Sequence, residues 1–299
     1  MALSIHTNYS SLITQTNLGK TNNALGTNQQ RLGTGFRINS AADDAAGLQI
    51  ATRLNAQSRG MDVAIRNTGD SISLLQTAEG ALTEMTDIVQ RMKDLATQAA
   101  NATASEKDRD ALQAEYDQLG QELGNIVKNT KYAGENLFSD GTTTDGSAGK
   151  FGAAMDFQIG ASAAETLTLD VSTPLTDLAT ALDGLSAQYA TPDSTTPGAE
   201  IAGTDGSAAN GMIDTLSDAL DSIGELRAQF GANINRLNHT ANNLANMKDN
   251  TDMAKGRIMD ADFAKESANM SKNSMLMQSG ISMLKQAGQM PGMVMSLLG

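Results

Sequence analysis

The chain has 299 residues, of which 40% are apolar but only 3% aromatic, and it contains neither Trp nor Cys. The lack of Cys excludes disulfides and thiolate chemistry, and two histidines are too few to suggest a His-based metal site. Such a composition is poor material for one large aromatic core. It favours long helices that pack along narrow apolar stripes.

The net charge of −13 is spread unevenly along the chain. Residues 1–42 carry three basic and no acidic side chains, and residues 253–299 carry five basic and three acidic ones. Residues 43–252 hold the remaining 13 basic and 31 acidic side chains, a net charge of −18. This acidic middle argues against nucleic-acid binding by the bulk of the chain. No apolar run of about 18 residues is present, so we expect no membrane insertion, and no cleavable secretory leader is visible.

Leucines near the N-terminus recur every seven positions, which predicts a helix with a thin apolar stripe. They are Leu18, Leu25 and Leu32. Gly33 and Gly35 then interrupt the helix, because glycine is entropically costly in helices. The segment 1–42 has too little apolar surface to fold alone against water, so its stripe needs a partner.

Two adjacent acids, Asp43 and Asp44, follow this break. Paired carboxylates can serve acid–base chemistry or bind a metal, but no further titratable partner lies near them in the sequence. Acids near a helix N-terminus instead complement the helix dipole, and Ser40 or Asp43 can cap the backbone N–H groups there. We therefore predict a helix start, and a junction formed by Gly33, Gly35, Asp43 and Asp44, rather than a catalytic or metal site.

A longer heptad seam follows the junction and predicts a helix over 43–100. Its apolar positions include Leu54, Met61, Leu75, Leu82 and Val89. Residues 101–105 interrupt the pattern, and a second apolar series then predicts a shorter helix over 106–130.

The segment 131–211 is turn-rich and low in hydrophobicity. Apolar and polar residues alternate over Phe157–Ile159 and Leu167–Val171, as they do in half-buried strands. We expect a β-hairpin and surface loops here, without a fully independent domain.

Helical periodicity returns over 212–252, and a last heptad seam follows in 253–299. The first of these seams has Leu216, Ile223, Phe230, Leu237 and Leu244 at its apolar positions. The second has Phe263, Met270, Met277, Ile281 and Leu284. Like the N-terminal segment, 253–299 is too poor in apolar surface to fold alone.

Several long motifs in both halves of the chain resemble those of bacterial flagellins. They are QRLGTGFRINSAADDAAGLQIATRL (30–54), SISLLQTAEGALTEMTDIVQRMKDLATQAAN (71–101), FQIGA and ETLTLDV (157–171), RAQFGANINRLNHTANNL (227–244) and GRIMDADFAKESANMSKNSML (256–276). The resemblance covers residues 1–140 and 205–299. The N-terminal MALSIHTNYSSLITQTNLGKT is most similar to lateral-type flagellins.

This resemblance implies a mainly α fold, a long helical coiled-coil or bundle rod with paired terminal helices and a small β-hairpin region. The segments 1–42 and 253–299 would pair as the inner core of a filament. The rod would comprise 43–211, including the hairpin and loop region, and the helix 212–252. The junction resembles the spoke that joins the inner and outer tubes of such a filament. Family members often carry outer domains in the middle, which this chain nearly lacks.

The implied function is structural. The chain would be secreted through the flagellar type III export channel and polymerise into the extracellular flagellar filament for motility, without catalytic residues, metals or cofactors. Implied partners are other copies of the chain, the flagellar cap protein, the hook–filament junction protein and an export chaperone that binds the C-terminal segment. The alternatives are a hook–filament junction protein and a monomeric secreted adhesin or immune ligand, neither of which would grow long homopolymers.

The segment QRMKDLATQ (90–98) resembles the part of flagellins that vertebrate Toll-like receptor 5 binds. The resemblance implies a receptor contact by Gln90, Arg91 and Leu95, with Glu115 on the adjacent helix. The alternative is that Arg91 and Lys93 form a solvated helix face or pack between subunits.

Overall fold

The computed structural model describes residues 8–192 and 196–298, and within them no side chain beyond position 289. Residues 1–7 of the predicted segment 1–42 and the last residue of 253–299 therefore lie outside the described residues. The described chain is mainly helical, which confirms the predicted fold class. Its helices are α1 (Tyr9–Thr34), α2 (Ala45–Ala99), α3 (Glu106–Asn129), α4 (Ser172–Asp183), α5 (Ala187–Ala190), α6 (Ser207–Met259) and α7 (Phe263–Leu298).

Local capping chemistry explains where two of these helices begin and end. The Asn8 side chain accepts a hydrogen bond from the Ser11 N–H at the start of α1. Gly35 ends α1 with φ +74°, a left-handed conformation that glycine adopts without a steric penalty. Ser105 and Asp108 form a reciprocal capping box at the start of α3.

Two short antiparallel hairpins lie between α3 and α4. The first pairs β1 (Lys131–Tyr132) with β2 (Glu135–Asn136), and the second pairs β3 (Met155–Gln158) with β4 (Thr166–Leu169). In the second hairpin Phe157 lies opposite Leu167, which confirms the predicted hairpin.

The helix α4 was not predicted, because the segment 131–211 was expected to hold a hairpin and loops. Its Leu175, Leu178 and Leu182 recur at helical spacing and are buried. Pro174 fits in its first turn, where a helix needs no N–H donor. The turn-rich sequence on both sides of this short helix obscured its period.

The chain divides into two compact units. We call residues 59–247 the central unit and residues 1–58 with 248–299 the terminal unit. The predicted boundaries lay at 42/43 and 252/253, whereas the compact units divide after Ser58 and before Lys248. Within the terminal unit, the Ser58 hydroxyl donates to Asp252 Oδ1 at 2.9 Å.

The core of the central unit lies where α2, α3 and α6 meet the middle segment. The two long helices run antiparallel there, since Met61 packs with Leu244 while Lys93 Nζ donates to Ser217 Oγ at 2.8 Å. Aromatic rings tie the middle segment to this core. The ring of Phe151 lies 5.0 Å from that of Phe230 on α6 and 5.9 Å from that of Phe138.

In the terminal unit, α1 and α7 pack closely in antiparallel orientation. Across the described residues no helix is both long enough and apolar enough to cross a membrane.

Replacing Phe230 with Ala is expected to lower the free energy of unfolding of the central unit by about 3–5 kcal/mol, because it leaves a cavity beside Phe151. Urea unfolding followed by far-UV circular dichroism measures this change. Val63→Ala is the matched control on α2, since Val63 is 46% exposed and its loss should cost less than about 1 kcal/mol. Equal effects of the two substitutions would contradict the assigned core.

Candidate functional site

The chain crosses between helices twice in the terminal unit, and the two crossings are hydrogen-bonded to each other. Phe36 and Asp260 form an isolated antiparallel β-bridge between the turn after α1 and the end of α6. The Arg37 N–H donates to Met259 O at 2.6 Å, and the Ala261 N–H donates to Gly35 O at 2.9 Å. The predicted junction is therefore double-stranded, with Gly35 inside the bridge and the exposed Gly33 in the last turn of α1.

The adjacent acids Asp43 and Asp44 have separate structural roles. Asp43 Oδ2 accepts from the backbone N–H groups of Asn39 and Ser40, at 3.0 and 2.9 Å. The hydrogen bonds from Ser40 and Asn39 lower the pKa of this carboxyl below its ordinary value. Asp44 Oδ1 accepts from the Gly47 N–H at 2.8 Å and so caps the start of α2.

Asp44 therefore caps α2, in place of the expected Ser40 or Asp43. Asp43 closes the preceding turn, because its carboxylate lies over the N–H groups of residues before it. No group of three or more acidic or histidine side chains in the described part of the chain could hold a metal.

The predicted packing positions of α1 and α7 divide into two classes. Six are half-buried between the helices: Leu18, Leu25, Leu32, Met270, Met277 and Leu284. The other two, Phe263 and Ile281, are 58% and 43% exposed. The helices approach closely at Gly280, where a Cβ atom would lie 3.2 Å from Leu18 Cδ1.

Polar contacts cross the helix pair at both ends. Asn8 Nδ2 donates to Ala287 O at 2.7 Å, and Arg31 Nη1 lies 3.3 Å from Glu266 Oε1. The residues of α1 and α7 with less than a tenth of their surface exposed are Asn28, Glu266 and Ala287, within the side chains that the structure describes. The pair therefore has almost no apolar core of its own.

Large apolar side chains of this pair face solvent instead. They are Tyr9, Leu12, Ile13, Phe263, Met275, Leu276, Ile281 and Met283. Exposed large apolar side chains in this number are typical of a surface that contacts another protein.

The predicted seam of the long helices lies mainly in the core. Its buried members are Met61, Leu75, Leu82, Val89, Leu216, Ile223, Phe230, Leu237 and Leu244. Leu54, in the terminal unit, is half-buried.

The segment 90–98 presents a charged surface patch. Gln90, Arg91 and Glu115 are exposed, and Arg91 Nη2 donates to Glu115 Oε1 at 2.6 Å. Leu95 faces the core and is 1% exposed. In this conformation a partner can reach the first three side chains but not Leu95, because the helix periodicity turns it inward.

A buried arginine that sequence reasoning missed organises the turn between α2 and α3. Arg109 is 3% exposed, and its guanidinium donates to the carbonyl oxygens of Ala99, Asn101 and Thr204. In the sequence it stands in the charged run EKDRD, which is typical of a solvated helix face. Nothing in that pattern indicates that the carbonyl groups of Ala99, Asn101 and Thr204 lie within reach of this side chain.

Comparison with known proteins gives matches at both ends of the chain. The family model "Bacterial flagellin N-terminal helical region" matches residues 5–143, and "Bacterial flagellin C-terminal helical region" matches residues 213–298. Flagellin A of Vibrio anguillarum is 35% identical over 388 aligned positions, which cover 100% of both chains. Polar flagellin C of Vibrio parahaemolyticus serotype O3:K6 (strain RIMD 2210633) is 33% identical over 393 positions, again with 100% of both chains covered.

These alignments are longer than the 299-residue chain, so the two relatives carry residues that this chain lacks. The similarity of the N-terminus to lateral-type flagellins stays a prediction. Among solved structures, a putative flagellar hook-associated protein from Vibrio parahaemolyticus has a TM-score of 0.57 at 14% identity, over 73% of this chain and 100% of that chain. At this identity the similarity shows the fold alone.

Asp44→Ala is expected to weaken the start of α2 by about 0.5–2 kcal/mol, because the Gly47 N–H loses its acceptor. Hydrogen exchange of the backbone amides at 45–48 measures this local opening. Asp44→Asn is the matched control and should cost only a few tenths of a kcal/mol, since Asn is an equally good N-cap. Identical exchange in both variants would show that Asp44 does not cap the helix.

Proposed function

The chain belongs to the bacterial flagellin family, and we propose that its terminal helix pair, α1 with α7, is the part through which its subunits associate. Members of this family polymerise into the extracellular flagellar filament, so the chain is a structural subunit of that filament and not an enzyme. We infer which segments hold the polymer together from the exposure and burial of this chain's own side chains.

The exposed apolar surface of the terminal pair carries this proposal. Met275 is 66% exposed and Met283 58%, although both lie on a helix that already has a partner helix. Large apolar side chains that stay in water in one subunit are stabilising only when another surface covers them. Other copies of the chain supply such surfaces in a homopolymer, and a heterologous contact that does not close into a ring gives an open helical filament.

The terminal pair also contrasts with the central unit in the amount of surface that it buries. The central unit encloses a large apolar core, including Leu82, Ile223 and Phe230. We therefore expect it to stay folded without assembly. The terminal helices enclose Asn28, Glu266 and Ala287. Ordering a backbone residue costs about 1–2 kcal/mol, so this pair needs the burial that assembly provides. We therefore propose that 1–42 and 253–299 order when the subunit joins the filament.

The exposed apolar side chains of α7 also support further partners for the terminal segments. An export chaperone would cover the apolar positions of 253–299 before assembly, and the cap and hook–filament junction proteins would meet the same helices at the two ends of the filament. Each of these partners is a proposal that rests on the exposed apolar surface of α7.

A chain truncated after Met283 is expected to form no filaments, because it loses the half-buried Leu284 and the Ala287 carbonyl that binds Asn8. The central unit should remain folded, since its core includes no residue of α7. Purified protein is mixed with short filament seeds, and growth is followed by pelleting and negative-stain microscopy. Full-length chain with the same seeds is the control. Normal filaments from the truncated chain would contradict the proposal. A full-length chain that stays soluble would favour the junction or adhesin role.

Substitutions on α7 test whether assembly needs its exposed apolar side chains or only a helix of full length. The double variant Met275→Gln and Met283→Gln keeps α7 intact but removes two exposed apolar side chains, and its critical concentration is expected to rise at least about tenfold. The matched variant Lys272→Gln and Ser282→Gln changes two exposed polar positions on the same helix and should assemble normally. Equal assembly of the two variants would contradict an apolar contact.

The charged patch at 90–98 supports a second proposal, contact with Toll-like receptor 5 in shed monomers. Arg91→Ala is expected to reduce receptor signalling while changing the free energy of unfolding by less than about 1 kcal/mol, because the Arg91–Glu115 pair is solvent-exposed. Leu95→Ala should instead cost about 2–5 kcal/mol of stability, because Leu95 is buried. A reporter-cell assay and urea unfolding measure the two effects, and full signalling by Arg91→Ala would overturn the patch as the contact.

A further inference from the structure

We propose that a polar network, formed by the buried Asn28 and Glu266 and the half-buried Arg31 and Asn273, sets the register in which α1 and α7 pair. The inference rests on the proposed role of the terminal pair in assembly and adds which side chains decide its alignment. A filament needs every subunit to present the same surface, so a pair of helices that slides would make mismatched contacts.

The leucine and methionine positions of this pair do not define one register by themselves. On α1 the half-buried positions seven residues apart are all leucine, at 18, 25 and 32. On α7 the corresponding positions are Met270, Met277 and Leu284. A slide of one heptad exchanges leucine for leucine and methionine for methionine or leucine at the positions that stay paired, so it changes their apolar contacts little. Heptads of this kind leave the register to polar positions.

The polar network supplies such positions near the C-terminal end of α1 and the N-terminal end of α7. Arg31 Nη1 lies 3.3 Å from Glu266 Oε1, and Glu266 is 7% exposed. Asn28 is also 7% exposed, and its amide is oriented to give both of its atoms a partner. Its nitrogen donates to Glu266 Oε2 at 3.2 Å, and its oxygen accepts from Asn273 Nδ2 at 3.1 Å. The carboxylate of Glu266 therefore accepts from two side chains of the opposite helix.

Among the side chains that the structure describes, the network occurs once along the pair, unlike the seam. A slide of one heptad in one direction places Arg31 opposite Asn273, and in the other direction it places Glu266 opposite Ala24. In either case a buried carboxylate loses its guanidinium partner. Breaking a buried ion pair is strongly unfavourable, because it leaves an uncompensated charge away from water.

The network is not built for maximal stability. Arg31 Nε is buried and has no hydrogen-bond acceptor among the described residues. A buried donor without a partner is destabilising, and apolar side chains of similar size would pack at these positions without that loss. A polar group that lowers stability but excludes other alignments is the arrangement that specifies register in coiled coils.

The competing explanation is that the β-bridge between Phe36 and Asp260 aligns the helices alone. This bridge lies only a few residues from Arg31 and Glu266. It holds one end of the pair, so it predicts a single register whether or not the network is present. The two explanations therefore differ in what removal of the network does.

Engineered cysteines can report the register, because the chain contains no cysteine of its own. Leu18→Cys with Gly280→Cys marks the observed register, since these positions face each other. Leu18→Cys with Ala287→Cys and Ser11→Cys with Gly280→Cys mark slides of one heptad in the two directions. One heptad moves a residue by about 10 Å along a helix, beyond the reach of a disulfide.

Each cysteine pair is placed in the full chain, assembled onto seeds and oxidised, and intrachain disulfides are read on non-reducing gels. Mixed single-cysteine chains control for disulfides between subunits. The network is removed by Asn28→Leu, Arg31→Met and Glu266→Met together. The matched control, Lys20→Met, Asn22→Leu and Gln278→Met, replaces three exposed polar side chains on the same helices.

With the network present, and in the matched control, disulfides should form at 18/280 and not at the slid pairs. Without the network, the ratio of aligned to slid disulfides is expected to fall at least about tenfold, equivalent to about 1.4 kcal/mol of lost preference. An unchanged ratio would overturn the network as the register determinant and favour the β-bridge. If the chain with the unaltered network forms no 18/280 disulfide in filaments, α1 and α7 do not pair there as observed. That result would contradict the proposed function of the terminal pair.

A charge reversal keeps the test informative if the apolar variant does not assemble. Arg31→Glu alone places two carboxylates together, and Glu266→Arg alone places two guanidinium groups together, so both should lose the 18/280 disulfide. The double reversal restores an ion pair and should recover it. Loss in the double variant equal to that in the single variants would also overturn the proposal.

Discussion

The confinement of apolar side chains to narrow helical stripes is the constraint from which the rest of this structure follows. With 3% aromatic residues, no helix can be buried by a few large side chains. Each long helix must instead lie along another for much of its length. In the central unit this brings Met61 against Leu244, residues far apart in the chain, and in the terminal unit it brings Asn8 against Ala287. Antiparallel return of the chain is the arrangement that satisfies both.

The two units meet this constraint to different degrees. The central unit adds α3, α4, α5, two hairpins and a trio of Phe rings to its helix pair, and most of its apolar seam is buried. In the terminal unit, the pair of α1 and α7 covers its apolar stripes only in part within the described residues. Its buried positions include an asparagine and a glutamate, and its large apolar residues face solvent. We propose that contacts with neighbouring copies in the polymer complete the burial of such a segment.

Polar groups supply the precision that thin apolar stripes lack. The Asp44 carboxylate caps α2, and Ser105 with Asp108 forms the capping box of α3. The Arg109 guanidinium joins the Ala99 and Asn101 carbonyl groups at the end of α2 to the Thr204 carbonyl before α6. The β-bridge joins the two chain crossings, and the network around Glu266 crosses the terminal pair. Each of these contacts is directional, whereas the apolar seam tolerates sliding. These directional contacts therefore add alignment to the stability that the apolar seams provide.

Periodicity along the chain was sufficient to predict the long helices, the seam from Met61 to Val89, the second hairpin and the need of both ends for a partner. These features are local or repeat at a fixed spacing, so the sequence by itself determined them. It did not determine that α4 is a helix, that Leu95 faces inward while Arg91 faces out, or that Asp44 rather than Asp43 caps α2. Nor could it indicate that Arg109 and Glu266 are buried, since charged residues are usually solvated. Only the tertiary structure decided these points, because burial and hydrogen bonding depend on which distant segment lies opposite each side chain.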